Sequence, residues 1–280
     1  MGLSVVFWSP VPGQTGTTSN IVALSALLGL EYSSYLLLFG HLQSRRASLE
    51  QALIRRRTQE GDELAHAADT GIDALERLLR NRKLTPAMVR DYTIPLLKDR
   101  LDLLPGSNKP DKVFVPGMKD VLPLLLETAR SSYDLVLIDG GSGTGSAWTQ
   151  TLLQHADLVV VNLNQNRLVL DRFFGHQEAD EQPGGKKRIL VLGQYDRYSS
   201  YTAKNIARMY RVNEPLLPVP HNAGWMDATR EGRAIDFCFR NRNVPRDHEN
   251  HFFMQSVRVL AKAVIEWAGL NKPFFGGKGE

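Results

Sequence analysis
Ser9-Pro10-Val11-Pro12-Gly13-Gln14-Thr15-Gly16-Thr17-Thr18-Ser19-Asn20 is the stretch whose residue types and spacing carry the clearest chemistry. The apolar run Val5-Val6-Phe7-Trp8 precedes it, and an apolar helical pattern starts at Ile21. A buried strand, a glycine-bearing turn and a helix start, in that order, present backbone N–H groups and the positive end of a helix to an anion. That is how phosphates are cradled. A loop of the form G-x-x-x-x-G-K-[ST] adds a lysine for the β- and γ-phosphates and a hydroxyl for Mg²⁺. Thr17 stands in the lysine place after Gly16, and Thr18 keeps the hydroxyl place. Gly13, Gln14, Thr15, Gly16, Thr17 and Thr18 therefore keep the shape of a phosphate site without its main charge.

A second chemical element is Tyr133-Asp134-Leu135-Val136-Leu137-Ile138-Asp139-Gly140-Gly141, an apolar strand ending in an acid. Asp139 is placed to hold Mg²⁺ directly or through water. By itself the same pattern also describes a plain turn after a buried strand. Gly140 to Gly145 adds a flexible segment where a switch loop would sit. The amide run Asn162-Leu163-Asn164-Gln165-Asn166 follows another strand, where it either lines a site or caps the next helix. Gly193-Gln194-Tyr195-Asp196-Arg197 is polar at a further strand exit. Gln194 there either reads a nucleobase edge or closes a turn. The seven histidines and one cysteine show no metal-ligand spacing. His221 reads as structural, and Trp148 and Trp225 read as packing residues.

The elements that must position these groups alternate between short apolar runs and helical patterns. Strands are expected over 3–8, 35–39, 101–104, 135–139, 158–162, 188–192 and 216–219. Helices are expected over 18–30, 72–81, 86–98, 118–131, 146–155, 168–176, 201–210, 225–231 and 252–268. Thr85-Pro86 gives one of these a cap followed by proline at the first helical position. Such alternation predicts an α/β fold: a single doubly wound, mainly parallel sheet of about seven strands with helices on both faces. Ligands of such sheets bind beyond the carboxyl ends of the strands, where all four polar elements fall. One domain is expected over 1–270, with a helical insertion at about 41–100 that has no strand signal, and a frayed tail over 271–280.

Composition narrows the class further. At 280 residues, 42% hydrophobic and 23% charged, the chain reads as an ordinary globular protein. A single cysteine, Cys238, excludes an internal disulfide and suits a reducing cytoplasm. No basic stretch precedes an apolar core at the N-terminus, so no secretory leader is expected. The longest apolar stretch, 21–39, is interrupted by Glu31, Tyr32, Ser33 and Ser34, which excludes a membrane span there. The net charge of +4 is small for a dedicated nucleic-acid binder. Arg45, Arg46, Arg55, Arg56 and Arg57 nevertheless cluster, as do Lys186, Lys187 and Arg188. These read as solvated surface or as a patch for an acidic lipid, nucleic acid or partner.

On these motifs the chain resembles the MinD/ParA branch of P-loop ATPases. The family's signature lysine falls on Pro12 and its phosphate lysine on Thr17; the first acid at the end of its second strand falls on Gly40; its Walker B acid matches Asp139. The stretch from Leu217 to Ala228, with Gly232, resembles the family's late "I-P-x-x … A … G" segment beside the base, which puts Pro220 there, and Gln194 falls near the base-reading Asn. Within the branch the chain looks most like the ATPase-like TadZ/CpaE group of tight-adherence (Flp) pilus loci. That narrower likeness rests on Phe7-Trp8-Ser9 with Thr15-Gly16-x-Thr18, on Leu103-Leu104-Pro105-Gly106 and on the amide run. The resemblance implies ATP and Mg²⁺ as ligands, with Gly13, Gln14, Thr15, Gly16, Thr17, Thr18, Gln194 and Pro220 at the nucleotide and Thr18 and Asp139 at the metal. It implies a cytoplasmic homodimer formed across the sheet's ligand edge and working with pilus or secretion-machine proteins. Hydrolysis is expected to be weak or absent, with no catalytic residue assigned. Nucleic acid is not an expected partner, and peripheral membrane association stays open. Two alternatives remain: an active ATPase switch whose missing charge comes from Lys109, Arg45 or a partner chain, and a ParA-like DNA-partitioning protein using the 45–57 arginines.

Overall fold
The structure is a computed structural model that describes residues 1–41, 48–54, 70–110, 113–114, 117–118, 120–143, 145, 147–175 and 187–270. The arginines at 45, 46 and 55–57, Lys186, the interior loop at 182–186 and the tail at 271–280 lie outside the described residues. Eight strands form one sheet in the order β3-β4-β2-β5-β1-β6-β7-β8. They are β1 (Leu3–Ser9), β2 (Leu37–His41), β3 (Ile94–Leu97), β4 (Leu101–Leu104), β5 (Leu135–Ser142), β6 (Leu158–Leu163), β7 (Arg188–Tyr195) and β8 (Leu216–Pro220). Every neighbouring pair is parallel except β3 with β4. The expected doubly wound α/β sheet is therefore present, with β1 at its centre between β5 and β6.

Both faces of the sheet are covered, which is why its strands read as continuous apolar runs. Val5 and Phe7 of β1 point into one core and Val6 and Trp8 into the other, as strand alternation requires. The first core is built around α1 (Thr17–Glu31) and the C-terminal helices. Helix α1 is apolar around nearly its whole circumference and is buried to match. The one acid at its end, Glu31, is held by the Arg258 guanidinium at 2.7 Å.

The segment between β2 and β4 departs from expectation. After α2 (Ser48–Leu53) and α3 (Ile72–Arg80) comes a 3₁₀ helix, Pro86–Tyr92, and then β3, antiparallel to β4 at the sheet edge. A single helix over 86–98 was expected there. Pro95 explains the difference: it cannot donate within a helix, it biases Ile94 toward extended backbone, and an edge strand tolerates it. The Thr85-Pro86 signal does mark a helical start, but only for a short 3₁₀ piece. The remaining helices are α4 (Leu122–Ser132), α5 (Ala147–His155), α6 (Arg167–Leu170), α7 (Ala203–Tyr210), α8 (Ala223–Arg230), α9 (Ala234–Arg240) and α10 (His251–Trp267). A π-helical turn, Asp171–Gly175, continues α6 where one helix was expected, and α9 had no counterpart among the expected helices. Among the described residues, no helix is long and apolar enough to cross a membrane.

Candidate functional site
The stretch after β1 leads into α1 through Gly16, whose backbone is left-handed at φ 69°. Gly13 is also left-handed, at φ 73°. Glycine is the residue that takes these angles without strain. The loop is held from three sides. Asn164 Nδ2 donates to the Gln14 carbonyl at 3.1 Å. Inside the protein, Asn20 Nδ2 donates to Asn162 Oδ1 at 2.8 Å. Gly193, at the exit of β7, lies so close that a Cβ there would run into the Thr15 carbonyl oxygen.

Thr17, in the lysine place, turns its hydroxyl into the loop, 3.0 Å from that of Thr15. Thr18 donates its hydroxyl to Asp139 Oδ2 at 2.6 Å. The expected metal pair is thus brought together by β1, α1 and β5. Asp139 Oδ1 accepts from the Gly141 N–H at 2.9 Å. Burial pushes the Asp139 carboxyl above the ordinary carboxylate range, opposed by the bonds from Thr18 and Gly141 and by nearby His41. A hydroxyl and a carboxylate are hard oxygen donors, the set Mg²⁺ takes when water and phosphate complete its shell. The residues present fit that ion, and its chemistry there would be to neutralise phosphate charge.

Gly40, in the place of the second-strand acid, is packed against Leu104. The next residue, His41, is the register partner of Asp139 on β5. It is buried, and its Nε2 lies 3.0 Å from Glu50 Oε1, which also accepts from the Gly106 N–H at 2.7 Å. The strand exit at Pro105-Gly106 is tied in through that carboxylate. Lys109 lies 2.5 Å from Glu76 and 3.8 Å from Asp73 in an ion-pair cluster. It does not line the phosphate cleft, so it does not replace the missing lysine.

A cleft of about 510 Å³ opens over the loop. Gly13, Thr15, Gly16, Thr17, Thr18 and Asp139 line it. Gln51 and Ala52 of α2, and Thr229 and Arg230 at the end of α8, complete its wall. Gln14 is exposed and stays outside this lining. A second cleft of about 630 Å³ lies at the ends of β7 and β8, where Pro220, His221, Asn222, Tyr195 and Phe252 line it. Gln194 is in the lining of neither cleft and has a left-handed backbone at φ 51°. Its side chain lies over the loop, since a Cβ on Gly16 would stand 3.0 Å from Gln194 Nε2.

The amide run proves to be scaffolding. Asn166 Oδ1 caps α6 by accepting from the Leu168 N–H at 3.0 Å, as a helix cap would. Gln165 bridges to the β7 exit through the Asp196 N–H at 2.8 Å and the Tyr201 carbonyl at 2.8 Å. Trp225 is buried, and its indole N–H donates to the Ser19 hydroxyl at 2.8 Å, tying α8 to the start of α1. Sequence reasoning missed Gln51, Thr229 and Arg230. Gly232 was a visible stop signal just after α8, yet nothing in the spacing shows that the helix ends over the phosphate loop.

No family model and no curated protein matches the sequence. Solved structures match the fold across nearly all of the chain. A ParA family ATPase from Chlorobium tepidum TLS superimposes with a TM-score of 0.71 at 14% identity, covering 94% of this chain and 99% of that one. The septum site-determining protein MinD of Pyrococcus horikoshii OT3, complexed with Mg-ADP, gives 0.67 at 17%, covering 96% and 99%. MinD in the MinC:MinD cell division complex of Aquifex aeolicus gives 0.62 at 15%, covering 96% and 98%. The chain has the fold of the MinD/ParA P-loop ATPases.

Proposed function
We propose that this chain is a degenerate MinD/ParA-like protein that holds ATP and Mg²⁺ at the loop after β1 and hydrolyses ATP weakly or not at all. Its role in this reading is that of a cytoplasmic localisation or assembly scaffold for a pilus or secretion machine, working as a homodimer. One observation carries it: the Thr18 hydroxyl and the Asp139 carboxylate meet at 2.6 Å at the head of a glycine-bearing loop whose lysine place is Thr17. Backbone N–H groups and the N-terminus of α1 remain to attract phosphate. The lysine charge that would stabilise a transferring phosphoryl group is absent, and losing one preorganised contact of that kind costs about 100- to 1000-fold in rate. The Mg-ADP held by the Pyrococcus MinD and the MinC partner of the Aquifex MinD support the nucleotide and the partner-binding parts of the reading.

The experiment is to purify the protein, assay it for co-purifying nucleotide and measure steady-state hydrolysis with Mg²⁺. Retained nucleotide with turnover near background is the expected result. Robust turnover abolished by Asp139→Ala would overturn the scaffold and favour an active switch. That second reading gains weight from a single observation, the arginine at the end of α8 that lines the cleft. Light scattering should give twice the chain mass even without ATP, and gel shifts at physiological salt should show no DNA complex.

A further inference from the structure
Helix α8 connects the two clefts. Asn222, its N-cap, lines the one beside Pro220, and Arg230, its last residue, lines the one over the phosphate loop. Eight helical residues advance the chain by about 12 Å, so one element touches both ends of the candidate nucleotide site. Arg230 is the only cationic residue in the described lining of the phosphate cleft. Its side chain is 72% exposed, and its ion-pair partner Asp227 stands 3.9 Å away and is itself exposed. A pair that long and that wet contributes little, so the guanidinium can turn to another anion at small cost.

Among the described residues, two other cations that could be considered for this place are already committed. Arg233 pairs with Glu231, and Lys109 with Glu76. The end of α8 would by itself disfavour an anion, because helix C-termini present carbonyl oxygens. Here most of those carbonyls are occupied. Asp227 O and Thr229 O accept from the Glu231 N–H, Ala228 O accepts from the Arg233 N–H, and Met226 O accepts from the Thr229 hydroxyl. What the helix end offers the cleft is therefore its one free-swinging cation.

We propose that Arg230 supplies the cationic contact that the loop lacks, binding the terminal phosphate of a nucleoside triphosphate whose other phosphates lie on Gly13–Thr18. Arginine suits the task because its fork bonds two phosphate oxygens at once. The charge thus comes from a helix more than 200 residues downstream of the loop. Arg230 lines the same cleft as Thr18 and Asp139, at the opposite end of α8 from Asn222, which lines the cleft of Pro220, so the contact is assigned to the phosphate chain and not to the base.

The proposal rests on nucleotide binding as read above, and its test separates the two. Calorimetric titrations with ATP·Mg²⁺, ADP·Mg²⁺ and adenosine are run on the full chain, Arg230→Gln, Arg230→Lys and a control on an exposed face of α7, Arg208→Gln. Arg230→Gln should weaken ATP about tenfold or more, the effect of losing a charge-assisted contact at an open site. ADP should lose less and adenosine nothing, Arg230→Lys should recover part of the loss, and Arg208→Gln should match the parent. The parent's ATP affinity should also fall with salt more steeply than that of Arg230→Gln. Equal ATP affinity in parent and Arg230→Gln overturns this assignment and leaves nucleotide binding standing. A parent that binds no ATP overturns both, and equal losses for ATP and adenosine would mark Arg230 as structural and overturn the contact.

Discussion

Asp139 and Asp157 stand at opposite strand ends of one mainly parallel sheet, and the fold treats them in opposite ways. Asp157 lies just before β6, at the edge away from the clefts. Its carboxylate accepts from the Ser4 N–H and the Ser4 hydroxyl, both at 2.8 Å, and from the Arg130 guanidinium at 2.9 Å. Burial would raise its pKa, but the Ser4 bonds and Arg130 outweigh that and hold it below the ordinary value. Asp139 lies at the exit of β5, where among the described residues the Thr18 hydroxyl and the Gly141 N–H donate to it and no arginine or lysine does, and burial raises its pKa. One acid is neutralised within the fold. The other is buried with fewer compensating donors, which suits the cation proposed beside it. A saturated carboxylate locks two strands together, whereas an under-compensated one at the strand exits is a candidate site kept at some expense of stability.

The largest expected effect is at the closed edge. Asp157→Ala strips three donors of their acceptor and leaves the Ser4 N–H and Arg130 without a partner for their bonds. A loss of about 3 kcal/mol is expected, read as a Tm lower by about 6–12 °C in a domain of this size. A Tm within 2 °C of the parent, by the same measure, would mean that Asp157 does not lock β1 to β6. Because its folded pKa is depressed, its contribution is present above the ordinary aspartate value of about 3.9 and is lost as pH falls through the lower folded value. The parent should therefore lose stability in acid more steeply than the alanine variant does.

Next comes the open edge itself. Gly16→Val puts a β-branched residue at φ 69° and presses its Cβ toward Gln194. The strain should cost about 1–3 kcal/mol. More telling, the rise in Tm that ATP·Mg²⁺ gives the parent should vanish, because the N–H groups of the loop can no longer close on a phosphate. A retained ligand shift in the variant would place the nucleotide elsewhere on the protein.

The smallest effect has the opposite sign and sharpens the contrast most. Asp139→Asn keeps an acceptor for Gly141 and offers an amide donor to Thr18, while removing a charge that burial penalises. The folded pKa is raised, so the stability associated with this group is greatest below the ordinary aspartate value and is lost as pH rises through the folded one. The variant should gain about 1 kcal/mol near neutral pH, a Tm higher by about 2–4 °C, with the gain shrinking toward pH 4. A fall in Tm would show that Asp139 is compensated after all. The same variant should lose the extra stabilisation that Mg²⁺ adds to ATP.

Local sequence pattern was enough to lay out the framework of this contrast. Seven of the eight strands and most helices were legible, because apolar runs, periodicity and caps are local features whose energetics lie within a few residues. The same local logic made Gly16, Thr17, Thr18 and Asp139 visible as a phosphate and metal pattern. It failed at 86–98, where a good cap signal at Thr85-Pro86 masked the stronger veto of Pro95, and edge pairing with β4 then decided the strand. It also left open what Gln194, Asn164 and Asn166 do, since an amide after a strand serves equally as a cap, a brace or a reader. Long-range packing decided this for Asn164 and Asn166, which brace the loop and cap α6, and gave Gln194 its place. It laid Gln194 over Gly16, used Asn164 to hold Gln14, and brought Arg230 to a loop lying more than 200 residues earlier. Such meetings depend on strand order and on the closure of long crossovers, whose cost grows only slowly with their length. Nothing in the spacing around Arg230 records them.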